Sequence, residues 1–144
     1  RLRECLNVRD SKLAEEPYLT AIINTAEQFD INPVLLIAIT GQEQGFVPRS
    51  NEYAEKIVNN PFNVYGSWIK YNTDIYDSSK IAAITLINLS KDRPSHVDTI
   101  QWINRKYAED ENWHKGVTSI FYMLSEELAL AQEPLTNGID AKDL

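Results

Sequence analysis

The run Val34-Leu35-Leu36-Ile37-Ala38-Ile39 constrains this chain more than any other stretch, because six consecutive apolar residues leave a helix no polar face to turn toward water. The punctuation on either side says helix rather than strand. Asn32 is a good N-cap, Pro33 suits the first helical position, and Gly45 supplies a stop. The segment is predicted to be a central, buried helix against which the rest of the chain packs. One residue near its end is out of keeping with that setting. Glu43, in Thr40-Gly41-Gln42-Glu43-Gln44-Gly45-Phe46, lies one and two turns beyond Ile39, Leu36 and Leu35, so its side chain leaves from the same face as core-facing aliphatics. Half-burial of a carboxylate disfavours its charged form, and a carboxyl group that keeps its proton can deliver it to a leaving oxygen. Glu43 is the candidate general acid.

The chain has 144 residues, enough for one domain with a real core and no need of disulfides or a metal. A net charge of -7 without any cluster of Lys and Arg excludes a nucleic-acid surface and disfavours an anionic membrane surface. Cys5 is the single cysteine, so no internal disulfide or Cys-based metal site is expected. His96 and His114 stand far apart in differently patterned segments, which spells neither a metal pair nor a histidine triad; both are expected to face solvent. No apolar run is long enough to span a bilayer, so no membrane insertion by this domain is expected, and an export signal is expected outside this segment. The start at Arg1 and the polar Asn137-Gly138-Ile139-Asp140 segment read as a domain from a longer protein. We expect residues 1–14 to form an N-terminal extension, 15–132 the domain, and 133–144 a C-terminal tail.

Helical periodicity recurs along the chain. Tyr18, Ile22, Ala26 and Phe29 make an amphipathic stripe within Pro17 to Phe29. Val47 to Trp68 has turn residues and no sustained period, and reads as a long ordered loop with a helical turn around Glu52 to Val58. Ser78 or Ser79 is placed to cap a helix through Leu89, and Pro94 prevents it from running on. Val97, Ile100, Ile103 and Tyr107 form a fourth stripe, and Trp113, Val117, Ile120, Phe121, Leu124 and Leu128 a fifth. No strand pattern competes, so the fold is predicted to be mostly α.

The segment Asn59-Asn60-Pro61-Phe62-Asn63-Val64-Tyr65-Gly66-Ser67-Trp68 is dense in carboxamides and aromatics. That mixture suits sugars, since amides hydrogen-bond hydroxyl and N-acetyl groups while aromatic faces cover the apolar faces of the rings. Bland roles compete: Asn60 and Asn63 also build turns, and Trp102 and Trp113 fit core positions on helical periodicity.

Gln42-Glu43-Gln44-Gly45-Phe46, followed by Asn59-Asn60-Pro61-Phe62-Asn63-Val64-Tyr65-Gly66, resembles the bacterial endo-β-N-acetylglucosaminidase family of peptidoglycan hydrolases. Those enzymes typically show Glu-Ser-Gly-x-Gly and then Asn-Asn-x-Phe-Gly-Ile-Lys-Gly. Lys70-Tyr71 with Ser78 and Ser79 is similar to the family's aromatic and serine positions, and Tyr107-Ala108-Glu109-Asp110 to its Tyr-Ala-Thr-Asp segment. The matches run in order over about residues 17 to 128. The resemblance implies a lysozyme-like fold with the substrate groove between helical lobes, with Glu43 as general acid and Tyr107 lining the site near the scissile bond. Gln44, Phe46, Asn60, Phe62, Asn63, Tyr65 and Tyr71 would contact or shape the substrate groove. Gln44 stands where Ser is usual and Asn63 where Gly is usual, which changes a neighbour of the acid and the backbone freedom of the loop. Soluble lytic transglycosylases share the fold and a single Glu, and fold alone leaves the cleaved bond open.

Glycoside hydrolysis commonly uses two carboxylates. Asp74 is the preferred second candidate, ahead of Asp77, Glu52 and Glu55, unless the substrate N-acetyl group or an intramolecular 6-hydroxyl takes that role. The expectation is therefore a peptidoglycan hydrolase of the cell wall or extracellular space, a monomer needing no metal or organic cofactor. Its activity is expected to peak at mildly acidic to neutral pH. A muramidase or lytic transglycosylase, a non-catalytic glycan-binding module of the same fold, and a helical protein-interaction domain are the alternatives.

Overall fold

Asn32 starts the central helix as its sequence position requires: its Oδ1 accepts the Val34 N–H at 2.9 Å, with Pro33 in the first helical position. The computed structural model describes residues 1–138, with side chains through Leu130. The described residues form seven α-helices in chain order: α1 (Leu2–Val8), α2 (Tyr18–Gln28), α3 (Pro33–Gln44), α4 (Ala54–Ile57), α5 (Ile75–Ser90), α6 (Thr99–Tyr107) and α7 (Trp113–Gly138). Two short 3-10 turns, Lys12–Ala14 and Val64–Gly66, complete the regular structure, with one isolated antiparallel bridge between Ser11 and Pro48. Among the described residues no helix is long and apolar enough to cross a membrane.

The apolar run becomes the centre of the core. Val34 and Leu36 through Thr40 are buried, and α3 packs chiefly on α7 and also on α2, which in turn lies against α5. α6 rests between α5 and α7. Leu36, Ile37 and Ile39 are fully buried with Ile22, Phe62, Ile75, Val117 and Leu124. Each such side chain removed from water stabilises the fold by about 1.5–3 kcal/mol. Gly45 ends α3 in the left-handed conformation, with φ 55°, which glycine adopts without a Cβ penalty.

Phe46 and Val47 continue in that unusual conformation, with φ 66° and 53°. For non-glycine residues this costs on the order of 1–3 kcal/mol each and persists only where surrounding contacts over-determine it. The N-terminal segment supplies those contacts. Ser11 Oγ donates to the Phe46 carbonyl, the Lys12 N–H to the Val47 carbonyl at 2.9 Å, and the Arg49 N–H to the Asp10 carbonyl at 2.8 Å. Leu6 and Leu13 are fully buried and Arg9 pairs with Glu127 of α7, so residues 1–14 are packed into the same core.

Several boundaries differ from the sequence reading. α5 begins at Ile75 because Asp74, with its Oδ1 on the Asp77 N–H at 2.8 Å, is the cap in use; Ser78 and Ser79 lie buried inside the helix. Asp98 caps α6 by accepting from the Ile100 and Gln101 N–H groups. α7 continues through Gly138, so part of the expected tail is helical, and residues 139–144 lie outside the described residues. His96 is exposed, but His114 is half-buried with Nδ1 2.8 Å from Asn104 Oδ1.

Candidate active site

Glu43 leaves the last turn of α3 half-buried, with both carboxyl oxygens engaged. Oε2 accepts the Trp113 indole N–H at 2.7 Å, and Oε1 accepts from the Asn63 carboxamide at 2.9 Å. A carboxyl group offers about four lone-pair positions, so two fixed donors orient it and still leave a position on each oxygen for a proton or a ligand. The orientation comes from elements far apart in sequence: Trp113 opens α7, and Asn63 sits in the loop between α4 and α5.

Tyr107, the last residue of α6, stacks on Trp113 with ring centroids 4.8 Å apart and planes 23° from parallel. Its hydroxyl donates to the Phe62 carbonyl at 3.1 Å. The ring keeps some exposed surface, whereas the hydroxyl end is enclosed. Burial first, and the nearby Glu43 second, push its pKa above that of an ordinary tyrosine. Tyr107 therefore acts as a neutral donor that ties α6 to the loop.

The loop is built by its asparagines. Asn60 is fully buried; its Nδ2 donates to the Val64 and Tyr71 carbonyls, each at 3.0 Å, and its Oδ1 accepts the Val64 N–H at 3.0 Å. Asn63 adopts the left-handed region, with φ 56°, where asparagine is the best tolerated residue after glycine. One end of its carboxamide reaches Glu43, and the other accepts from Gln44 Nε2 at 3.0 Å and from the Trp68 N–H at 3.2 Å. Tyr65 follows with φ 56° and a side chain that is 67% exposed. The loop thus spends backbone strain to hold a large aromatic out at the rim.

These parts enclose a cleft of about 390 Å³, with Glu43, Asn63, Tyr65, Gly66 and Tyr107 on its walls together with Ile81, Thr85, Lys106 and Ala108. Glu43 is the one carboxylate among the described residues that line it. A neighbouring hollow of about 440 Å³ contains Glu109 and Glu111, but both are exposed and neither is gripped by buried donors as Glu43 is.

Of the residues singled out in sequence, the fold gathers Glu43, Asn63, Tyr65 and Tyr107 around one cleft, with Phe62 forming its wall from the core side. Gln44 lies behind Asn63 and buttresses it. Asn60 shapes the loop from inside and, being wholly buried, offers no contact to a ligand. Tyr71 donates to Asp77 Oδ2 at 2.5 Å and meets the Tyr65 ring edge-on at 4.9 Å, so it supports Tyr65 from behind. Phe46 is a correction. The left-handed turn after α3 folds its ring back under the helix, where a Cβ at Gly41 would stand 2.5 Å from Phe46 Cζ, and the residue belongs to the core. Asp74 is spent as a helix cap, Asp77 is held by Tyr71 and Thr73, and Glu52 and Glu55 border a different hollow beside Arg49.

Trp113 is the participant that sequence reasoning missed. It satisfies its expected core role, being 3% exposed, and that apolar signal masks the one polar atom that matters. Its partner lies seventy positions away, beyond the reach of any local pattern. The chain matches no protein-family model, no curated protein and no solved structure.

Proposed function

We propose that this chain is a glycosidase of lysozyme-like fold that cleaves the glycan strands of bacterial peptidoglycan, with Glu43 protonating the departing glycosidic oxygen. The observation that carries the reading is the Glu43 carboxyl group, clamped by Trp113 and Asn63 at the floor of a cleft rimmed by Tyr65 and Tyr107. Fixed orientation of an acid within reach of a bound substrate is what general-acid catalysis requires. Aromatic rims suit the apolar faces of sugar rings. The ordered motifs from Glu43 to Tyr107 point to an endo-β-N-acetylglucosaminidase exported to the cell wall.

A single carboxylate in the cleft favours a substrate that supplies its own nucleophile. The N-acetyl carbonyl oxygen can attack C1 as the C1–O bond breaks and Glu43 protonates the departing oxygen, giving an oxazolinium ion that water opens at C1 while the Glu43 carboxylate takes up the water's proton. Attack by the 6-hydroxyl of a muramyl residue would instead give an anhydro product, and this is the second reading that the same observation supports.

Digestion of purified peptidoglycan by the chain and by Glu43→Gln, with mass analysis of the fragments, tests both. Reducing N-acetylglucosamine ends, lost by about 10²- to 10⁴-fold in the variant, are expected. Anhydro-muramyl ends would move the reaction to the transglycosylase class. Fragments in undiminished yield from Glu43→Gln would sink the role of Glu43, and wall binding without fragments from either protein would leave a glycan-binding module.

A further inference from the structure

Two lysines stand at the cleft, and neither is used by the fold. Lys106, in the last turn of α6 beside Tyr107, lines the cleft and is exposed. Lys70 lies beside a lining residue: its Cδ lies 3.0 Å and its Nζ 3.9 Å from where a Cβ on Gly66 would be, so its stem runs across the glycine that lines the cleft. Gly66, with φ 107°, holds a conformation that a side-chain-bearing residue rarely adopts, and this leaves the strip open for the lysine to cross. Among the described residues neither ammonium group forms an ion pair, so both charges are free for a ligand. Nor is the cleft's own carboxylate their partner: Glu43 accepts from Trp113 and Asn63 and forms no ion pair with either lysine. Two unpaired cations flanking a cleft in an acidic protein are placed to attract and fix an anion.

We propose that Lys106 and Lys70 read a carboxylate on the bound glycan, so that the cleft prefers strands bearing acidic side arms over neutral N-acetylglucosamine oligomers. This rests on the glycan-strand reading above and names the feature of the strand that is recognised. The carboxylate has two sources, the free lactyl group of a peptide-stripped muramyl residue or a carboxylate of the attached peptide. An exposed pair with a flexible lysine is weak, so each lysine is expected to contribute up to about a fivefold preference, reduced by added salt.

Binding to Glu43→Gln, measured by calorimetry, separates this from catalysis. The probes are a neutral chitotetraose, a peptide-free muramyl-containing tetrasaccharide, the same tetrasaccharide with its lactyl carboxylates amidated, and a peptide-bearing one. The acidic tetrasaccharide is expected to bind several-fold more tightly than the neutral and amidated ones. That ratio should fall toward one in the Lys70→Gln/Lys106→Gln background and persist in Lys106→Arg. Preference restricted to the peptide-bearing probe would assign the carboxylate to the peptide. A preference that survives the double substitution, or that is absent from both the peptide-free and the peptide-bearing acidic probes before it, overturns the proposal while cleavage by the unsubstituted chain still supports the glycosidase reading. A lysine-dependent ratio without cleavage of any probe leaves the proposal standing and removes the glycosidase, and binding of none of the probes overturns both.

Discussion

Gln44 donates to Asn63 at 3.0 Å, and both positions are ones at which the motifs depart from the pattern they resemble. The departures form one unit: Gln44 Nε2 fixes Asn63 Oδ1, which turns Asn63 Nδ2 onto Glu43 at 2.9 Å. Asn63 also tolerates the left-handed backbone that glycine would otherwise provide. Backbone and side-chain roles can therefore be separated. Asn63→Gly should lose activity and about 1–3 kcal/mol for its carboxamide bonds to Glu43, Gln44 and Trp68, whereas Asn63→Ala should lose similar activity and a further ~1–2 kcal/mol from strain, read by urea denaturation. A double-mutant cycle of Gln44→Ala with Asn63→Gly should return a coupling of about 0.5–1.5 kcal/mol. Additive effects would mean that Gln44 does not act through Asn63.

Trp113→Phe keeps an aromatic ring against Tyr107 and removes the indole N–H that meets Glu43 at 2.7 Å, together with the volume of the second ring at a buried site, which costs a further ~1–3 kcal/mol of stability. Loss of the hydrogen bond should cost about 1 kcal/mol in chemical denaturation. Loss of the fixed carboxyl orientation should lower kcat by about tenfold or more, with a smaller change in KM. Equal kcat values would show that Trp113 is a core residue whose contact with Glu43 is incidental to the chemistry.

Much of this arrangement was legible because its signals are local. Asn32, Pro33, six apolar residues and Gly45 specify α3 without reference to anything else, and the structure follows them residue by residue. The cap of α5 was misplaced because Asp74, Ser78 and Ser79 are all competent caps, and only the burial of Ile75 decides among them. Phe46 and Asn60 drew attention as part of a sugar-like composition, yet composition carries no direction. The turn at Gly45 to Val47 buries Phe46, and four hydrogen bonds to Val64, Ser67 and Tyr71 bury Asn60. The clamp on Glu43 was illegible for a different reason: its donors come from positions twenty and seventy residues away, so they exist only once the tertiary fold has closed.

Tyr71 and Thr73 both donate to Asp77 and hold its carboxyl below the usual carboxylate range, Tyr71 contributing most. A carboxylate whose pKa is depressed on folding contributes stability above its unfolded pKa, near 3.8, and that contribution is lost as pH falls through the folded value. Tyr71→Phe removes the main donor. The stability difference between the unsubstituted chain and this variant should be constant at neutral pH and narrow below about pH 4, in urea melts taken at a series of pH values. A difference that persists unchanged to pH 2 would assign it to packing against Tyr65 instead.

Tyr107 runs the opposite way. Burial raises its pKa above the ordinary 10.0, so the fold favours the neutral phenol. A group whose pKa is raised on folding gives stability that is complete below the unfolded pKa and is lost as pH climbs, because the unfolded chain can then release a proton that the folded chain retains. At pH 7, Tyr107→Phe should be about 1 kcal/mol less stable through loss of the bond to the Phe62 carbonyl. Above about pH 10 the unsubstituted chain alone bears the linkage cost, so the difference should shrink by roughly 1.4 kcal/mol per pH unit and then reverse. Activity supplies an independent check: the Phe variant keeps the ring that lines the cleft and should retain kcat within about tenfold, while Tyr107→Ala, which also unstacks Trp113, should lose far more. Equal losses in the two variants would locate the contribution of Tyr107 in its hydroxyl and the loop it anchors, not in the ring face presented to substrate.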